Sequence, residues 1–308
     1  MSHTSHVLNR AEGYKIFVGP NGLRAGWRLL IFLALFLPLG YGTLWVSDLW
    51  LNRLHLEVDT ALGMDIGIGL PAIALFLVSG VMARIEGRSL AAYGLPWRRA
   101  FCRQFWQGAA ISFLSLTVLL LVFRWLGVFS FGSLALHGAD IWKQAAAWII
   151  PMFLGALTED FLYRGYFLFT LTTGIGFWPA AIVSSLIMGG THYFAPGGHG
   201  LGPIATTEYC LLTCLILRRT GDLWMPLGLH AGWNYSAIFI FSIGSGGRTV
   251  LGHLMDPSLH GPTWLTGGQY GPEGSWSNVI LLTVWAIGFS LWLRGVRYPD
   301  PAAVRARR

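Results

Sequence analysis

Long apolar stretches, separated by short polar connections, run through the chain from about residue 27 onward. A helix needs about 17 to 25 apolar residues to cross the hydrocarbon core of a bilayer. The stretches of about this length are 27–49, 62–84, 107–128, 144–171, 177–194, 203–218, 222–244 and 277–294. This pattern predicts an all-α fold, a polytopic membrane bundle of about eight transmembrane helices.

Composition supports a bilayer as the solvent of this chain. Hydrophobic residues make up 54% of it and charged residues only 11%, whereas about 25% of a soluble globular domain is charged. The excess of basic residues does not indicate nucleic acid, because no basic stripe alternates with exposed aromatic residues. We therefore expect the lipid bilayer, and no nucleic acid, as a partner.

The distribution of basic residues predicts the orientation. If the N-terminus is inside, the segments on that side carry 17 of the 21 Lys and Arg residues, as the positive-inside rule requires of the cytoplasmic side. The prediction is a multi-pass protein of the plasma (inner) membrane with both termini in the cytoplasm. Its parts are a cytoplasmic N-terminal tail at 1–26, a membrane domain at 27–294 and a basic cytoplasmic tail at 295–308.

The first polar cluster inside an apolar stretch contains Glu159, Asp160 and Arg164. Ionisable groups are costly within a membrane, so their positions are functional hypotheses by default. Asp160 and Arg164 are four residues apart and share a helix face, which favours a local ion pair. Glu159 lies about 100° further round the helix and can point elsewhere. The alternative is a buried acid that Arg164 holds for packing alone.

Two further clusters contain histidine. His192 follows Gly189 and Gly190 in the fifth stretch, where it is either a structural residue or a catalyst. His230 and Asn234 in the seventh stretch are four residues apart and lie on one helix face. They predict either a ligand or oxyanion site or a polar clasp between helices.

Spacing connects the first cluster to the second. Glu159 and His192 are 33 residues apart, and the midpoint falls at Gly174 to Gly176, between the fourth and fifth stretches. In an antiparallel helix hairpin, equal distance from the turn means equal height. We therefore expect the two side chains to lie at one depth.

A carboxylate and an imidazole at one depth can hold a water molecule and remove its proton. A second histidine together with an asparagine can stabilise the oxyanion of a tetrahedral intermediate. These roles predict hydrolysis of an amide bond in an apolar setting. The same Glu159, His192 and His230 could instead bind a divalent metal such as Zn²⁺, which keeps an open position for water in catalytic sites.

The three clusters resemble the motifs of the CPBP family, intramembrane proteases that include type II CAAX prenyl endopeptidases and bacteriocin-processing and immunity proteins. The family pattern is EExxxR, FxxxH and HxxxN, each on its own transmembrane helix. The corresponding residues here run from Glu159 to Arg164, from Met188 to His192 and from His230 to Asn234. With the family-like segment 89–95, the resemblance covers about residues 80 to 245.

The resemblance implies an intramembrane endopeptidase with a catalytic cavity inside the helical bundle. By analogy, Glu159 activates water with His192 as its partner, and Arg164 orients the acidic pair. His230 and Asn234 are implied to form the oxyanion site. The substrate implied is a membrane-associated peptide or protein, of which a lipidated C-terminal peptide is one example.

This chain departs from the family pattern at two positions. Asp160 replaces the second glutamate and is one methylene shorter, and Met188 replaces the phenylalanine with similar apolar bulk.

Two other functions compete with a protease. A non-catalytic membrane scaffold or bacteriocin self-immunity protein would keep the polar residues for stability and act by binding a partner. A transporter would use them as a proton relay, but its acids would be spread along a path, and the chain shows no inverted repeat. Glu208 and Asp65 also lie in apolar stretches, outside the three motifs, and have no assigned role.

Overall fold

The computed structural model describes residues 16–19, 22–194, 200–243 and 249–298. Most residues of the two predicted tails lie outside the described residues. The excess of basic residues near the chain ends therefore falls largely on residues that the structure does not describe. The α-helices are α1 Ala25–Leu54, α2 Ala61–Ile85, α3 Arg103–Trp125, α4 Ala139–Ala147, α5 Ile149–Phe161, α6 Leu168–Ile175, α7 Phe177–Tyr193, α8 Gly202–Thr220, α9 Trp224–Asn234, α10 Thr263–Thr266 and α11 Trp276–Trp292. The all-α prediction is confirmed.

Four helical stretches within the described residues are long and apolar enough to cross a membrane. They are Ala25–Leu54, Ala61–Ile85, Arg103–Trp125 and Ala139–Ile175. Large apolar side chains remain exposed along them, such as Leu77 on α2, as expected for helices that face lipid. The other predicted stretches also fall on helices, but those helices are shorter or less apolar. Eight crossings therefore stay a prediction.

Two of the predicted continuous spans contain a segment of π-helix, which is wider than a regular α-helix. A π-helical segment, Leu162–Phe167, separates α5 from α6, and Gly165 within it has ψ −114°, far from helical values. A Cβ at Gly165 would lie 2.5 Å from the Phe161 ring, so only glycine fits. A second π-helical segment, Tyr235–Ile240, follows α9. The fourth stretch, 144–171, is thus not the single regular helix that its apolar run suggested.

Helix α9 lies at the centre of the bundle and packs against α3 and α5. The backbone of α3 comes so close that a Cβ at Gly228 would overlap the carbonyl group of Phe105. A similar close approach joins α7 to α8, where Gly189 lies against Thr207. Such small-residue contacts allow helix backbones to approach closely in membranes. They hold two of the motif helices, α7 and α9, close to their neighbours α8 and α3.

The remaining elements are short. Strand β1 (Val18–Gly19) pairs with β2 (Gly22–Leu23), and β3 (Phe129–Ser130) pairs with β4 (Ser258–Leu259) in an antiparallel register. Short 3₁₀ turns cover Leu90–Tyr93, Trp97–Arg99, Gly268–Tyr270 and Pro272–Gly274. The Gly- and Pro-rich connection before α11 is therefore partly ordered by α10, β4 and two of these turns.

Candidate active site

The end of α5 presents the acidic residues of the first motif. Asp160 forms an ion pair with Arg164, one helical turn further on, and both side chains are fully buried. This contact confirms the pairing predicted from their spacing. The Arg164 guanidinium also lies 3.4 Å from the sulfur of Met188, so the residue in the family's phenylalanine position packs against this ion pair.

His230 joins α9 to both acids. Its Nδ1 lies 3.0 Å from Oδ1 of Asp160, and its Nε2 lies 3.8 Å from Oε2 of Glu159. With Nδ1–H donated to Asp160, Nε2 is the nitrogen that remains on the side of Glu159. The bond between Asp160 and His230 was not predicted. The shorter acid nevertheless reaches the histidine, and Arg164 is paired with Asp160 rather than with both acids.

His192 lies near the end of α7. Its Nδ1 is 2.9 Å from the carbonyl oxygen of Met188, which fixes the ring. The hairpin that brings His192 back towards Glu159 turns at Gly176, where φ is +84°, between the end of α6 and the start of α7. The predicted position of the turn is confirmed.

A cavity of about 560 Å³ lies among these helices. Glu159, His192, His230 and Asn234 all line it, so residues from three separate motifs reach one space. Asp160 is not part of the lining and lies behind it. The Glu159 side chain is 42% exposed, in contrast to the fully buried Asp160.

Several residues that the motifs do not include complete the cavity wall. Glu273, in the connection before α11, is one of them, and its Oε1 accepts a hydrogen bond of 2.6 Å from Nε1 of Trp233. The other polar or aromatic residues in the lining outside the motifs are Thr206, Tyr209, Tyr270, Asn278 and Trp285. Sequence reasoning missed them because they lie on α8, α11 and the connection before α11. Their one sequence signal is polarity within or beside an apolar run.

The two unassigned acids lie outside the cavity lining. Glu208 accepts a hydrogen bond of 2.7 Å from Thr283 and links α8 to α11. Oδ1 of Asp65 is buried and has no hydrogen-bond partner among the described residues. Neither acid contacts the motif residues in the described structure, so neither gains a catalytic role here.

The described residues do not assemble a metal site. Within the described ranges, no three His, Cys, Asp or Glu side chains come together in a way that would hold a metal ion. One nitrogen of His230 already bonds Asp160, and one nitrogen of His192 faces a backbone carbonyl. These bonds leave the second ring nitrogen of each histidine available, as in metal-ligating histidines, so a zinc mechanism that uses Glu159, His192 and His230 stays an open alternative.

Residues 141–236 match the family model of type II CAAX prenyl endopeptidase Rce1-like proteins. The matched region contains all three motifs and ends two residues after Asn234. The resemblance to the CPBP family is confirmed. Together with the long apolar helices, the match identifies an integral membrane protein, and it supports a peptidase at a coarse level. A comparison with curated proteins and one with solved structures gave no match.

The matched region does not include the whole cavity. It contributes Glu159, His192 and His230, whereas Glu273 and Trp285 come from beyond its last residue. The cavity therefore combines family motifs with a wall that lies outside the matched region.

Proposed function

We propose that this protein is an intramembrane endopeptidase of the CAAX-protease-like type, in which Glu159 and His192 activate a water molecule. The observation that carries the proposal is that Glu159, His192, His230 and Asn234 line one cavity. A scaffold has no evident need to direct all four side chains into the same space. The family match supports the same reaction class.

The reaction that we propose begins with the water oxygen attacking the carbonyl carbon of the scissile peptide bond. Glu159 takes the proton from the water as general base. The carbonyl oxygen becomes an oxyanion, which the Asn234 amide and the Nε2–H of a doubly protonated His230 stabilise with hydrogen bonds, while the Nδ1–H of the same ring is donated to Asp160. The C–N bond then breaks, and Glu159 returns the proton to the leaving amine nitrogen.

Asp160 has a positioning role in this scheme. Its Oδ1 accepts hydrogen bonds from both Arg164 and His230 Nδ1. A carboxylate on one ring nitrogen fixes the orientation of the ring and stabilises its protonated form. Asp160 thereby presents His230 Nε2 to the cavity, while the Arg164 charge compensates the buried carboxylate.

The cavity suggests an apolar, membrane-associated peptide as the substrate. Much of its lining is apolar, including Met64, Ile68, Met152, Ile238 and Leu282. Apolar pockets with a few placed polar groups are typical of sites that bind apolar ligands. A prenylated C-terminal peptide is the example that the family suggests.

The proposal predicts that Glu159→Gln abolishes cleavage. Glutamine keeps the shape of the side chain but cannot take a proton from water, and a general base contributes roughly 10²- to 10⁴-fold in rate. Purified protein in lipid nanodiscs would be tested on a farnesylated CAAX peptide, the same peptide without the lipid, and a set of transmembrane peptides. The measurement is the rate of product formation by mass spectrometry.

Glu208→Gln is the matched control, because Glu208 also lies on a helix of the bundle but does not line the cavity. It should keep the wild-type rate. Folded Glu159→Gln protein with wild-type cleavage would exclude this mechanism. If the wild type cleaves none of the peptides, the scaffold or self-immunity function becomes the better account.

A further inference from the structure

Tyr209 on α8 has a buried hydroxyl group beside the candidate active site. The side chain lines the cavity, and its hydroxyl oxygen has no hydrogen-bond partner among the described residues. Other buried polar side-chain atoms without a partner occur in the described structure, for example at Tyr93 and Ser79, but those residues do not line the cavity. Tyr209 therefore combines two properties that the others do not share.

The ring of Tyr209 is held on two sides by residues of the proposed mechanism. The Arg164 guanidinium lies over the ring, 5.3 Å from its centroid. The His230 ring packs against it at a centroid distance of 5.5 Å and an interplanar angle of 70°. These contacts fix the phenol beside the histidine that faces Glu159.

An unpaired hydroxyl in this position needs an explanation. Leaving a buried hydrogen-bonding group without a partner costs about 1–3 kcal/mol, and most such groups in native proteins are satisfied. A phenol can donate one hydrogen bond. A group that enters the cavity and accepts this bond would satisfy Tyr209, and in the proposed reaction the peptide carbonyl is such an acceptor.

We propose that Tyr209 is a further catalytic residue, whose O–H donates a hydrogen bond to the oxygen of the scissile carbonyl beside His230 and Asn234. The inference rests on the proposed function. The carbonyl oxygen gains negative charge as water attacks, so this hydrogen bond strengthens in the transition state. Tyr209 itself neither gains nor loses a proton in the step.

Tyr209→Phe tests the inference, because it removes the hydroxyl and keeps the ring against Arg164 and His230. For a peptide that the wild type cleaves, we expect kcat to fall roughly 10²-fold, as for the loss of one oxyanion donor, with KM little changed. The phosphinate analogue of that peptide, which mimics the tetrahedral intermediate, should bind more weakly by a similar factor. The melting temperature should stay the same or rise, because a buried unpaired hydroxyl is removed.

Tyr93→Phe is the matched control, since it removes another buried hydroxyl away from the cavity, and it should leave kcat unchanged. If Tyr209→Phe does not fold, 4-fluorophenylalanine at the same position fills the hydroxyl volume without donating a hydrogen bond. Wild-type kcat and analogue affinity in the Tyr209 variant would overturn the inference and leave the proposed function intact. A loss of kcat that merely follows a loss of melting temperature would also overturn it. If the wild type neither cleaves the peptides nor binds the analogues, both proposals fall.

Discussion

Two buried clusters in this protein pair a carboxylate with arginine, and they differ in what lies beyond the pair. In one, the Glu86 carboxylate lies 2.7 Å from Arg28 and accepts a hydrogen bond of 2.7 Å from the Tyr166 hydroxyl. In the other, Asp160 pairs with Arg164 and accepts a hydrogen bond from His230. Both carboxylates are almost completely shielded, with exposed fractions of 6% and 0%.

The Glu86 cluster joins structural elements and does not line the cavity. Arg28 comes from α1, Glu86 follows α2, and Tyr166 lies in the first π-helical segment, while Arg28 also bonds Thr173 on α6. The Asp160 cluster continues through His230 towards Glu159 and the cavity. A buried charge near an arginine is therefore not enough to indicate catalysis in a membrane protein. A stronger indication of a catalytic role is a series of side-chain contacts that leads from the buried ion pair to an accessible cavity.

The largest effect that distinguishes the two clusters is expected for Asp160→Asn. The amide removes the negative charge that faces Arg164 and orients His230, so kcat should fall roughly 10- to 100-fold, as when a carboxylate that orients a functional histidine is lost. Breaking one side of a buried ion pair also destabilises a protein by about 3–5 kcal/mol. Cleavage rate per folded molecule and the melting temperature would be measured together.

Asp160→Glu is the matched variant, because it keeps the charge and restores the family pattern EExxxR. It should retain more activity and more stability than the asparagine variant. Equal rates for Asp160→Asn and the wild type would show that His230 does not depend on this carboxylate for its catalytic orientation.

A smaller effect, on stability alone, is expected for Glu86→Gln. The amide can still bond Tyr166 but loses the charge facing Arg28, and hydrogen bonds to charged groups contribute about 1.5–3 kcal/mol. The melting temperature should fall while the rate per folded molecule stays at the wild-type value. A fall in kcat without a fall in melting temperature would contradict the contrast between the two clusters.

The smallest effect is expected from a metal chelator. A zinc peptidase should lose activity on chelation and recover it when zinc is returned, whereas a water held by Glu159 and His192 alone should be unaffected. We expect no change in rate, because the described side chains do not form a set of three ligands. Loss and zinc-dependent recovery of cleavage would favour the metal mechanism.

Parts of this architecture could be predicted because they depend on local rules. Helix positions follow from the length of apolar runs, and the Asp160–Arg164 pair follows from a four-residue spacing on one helix. Likewise, His230 and Asn234 share a helix face and both line the cavity.

Other features depend on tertiary packing and could not be predicted. The bond between Asp160 and His230 joins residues 70 positions apart, and Tyr209 reaches the cavity only because α8 packs closely against α7. The π-helical segment at Gly165 has no periodic signal, since one glycine in an apolar run is also compatible with a regular helix. Likewise, the ordered connection that carries Glu273 has a loop-like composition that does not indicate its contact with Trp233.

The hydrogen bond between Trp233 and Glu273 has a consequence for how the protein is made. All three motifs are complete in the growing chain once Asn234 has been added, but Glu273 follows 39 residues later and Trp285 later still. A nascent chain that already contains every motif therefore lacks one wall of the cavity. The complete cavity exists only after Trp285 has been synthesised, so the helices that carry the motifs are made before the wall that completes their site.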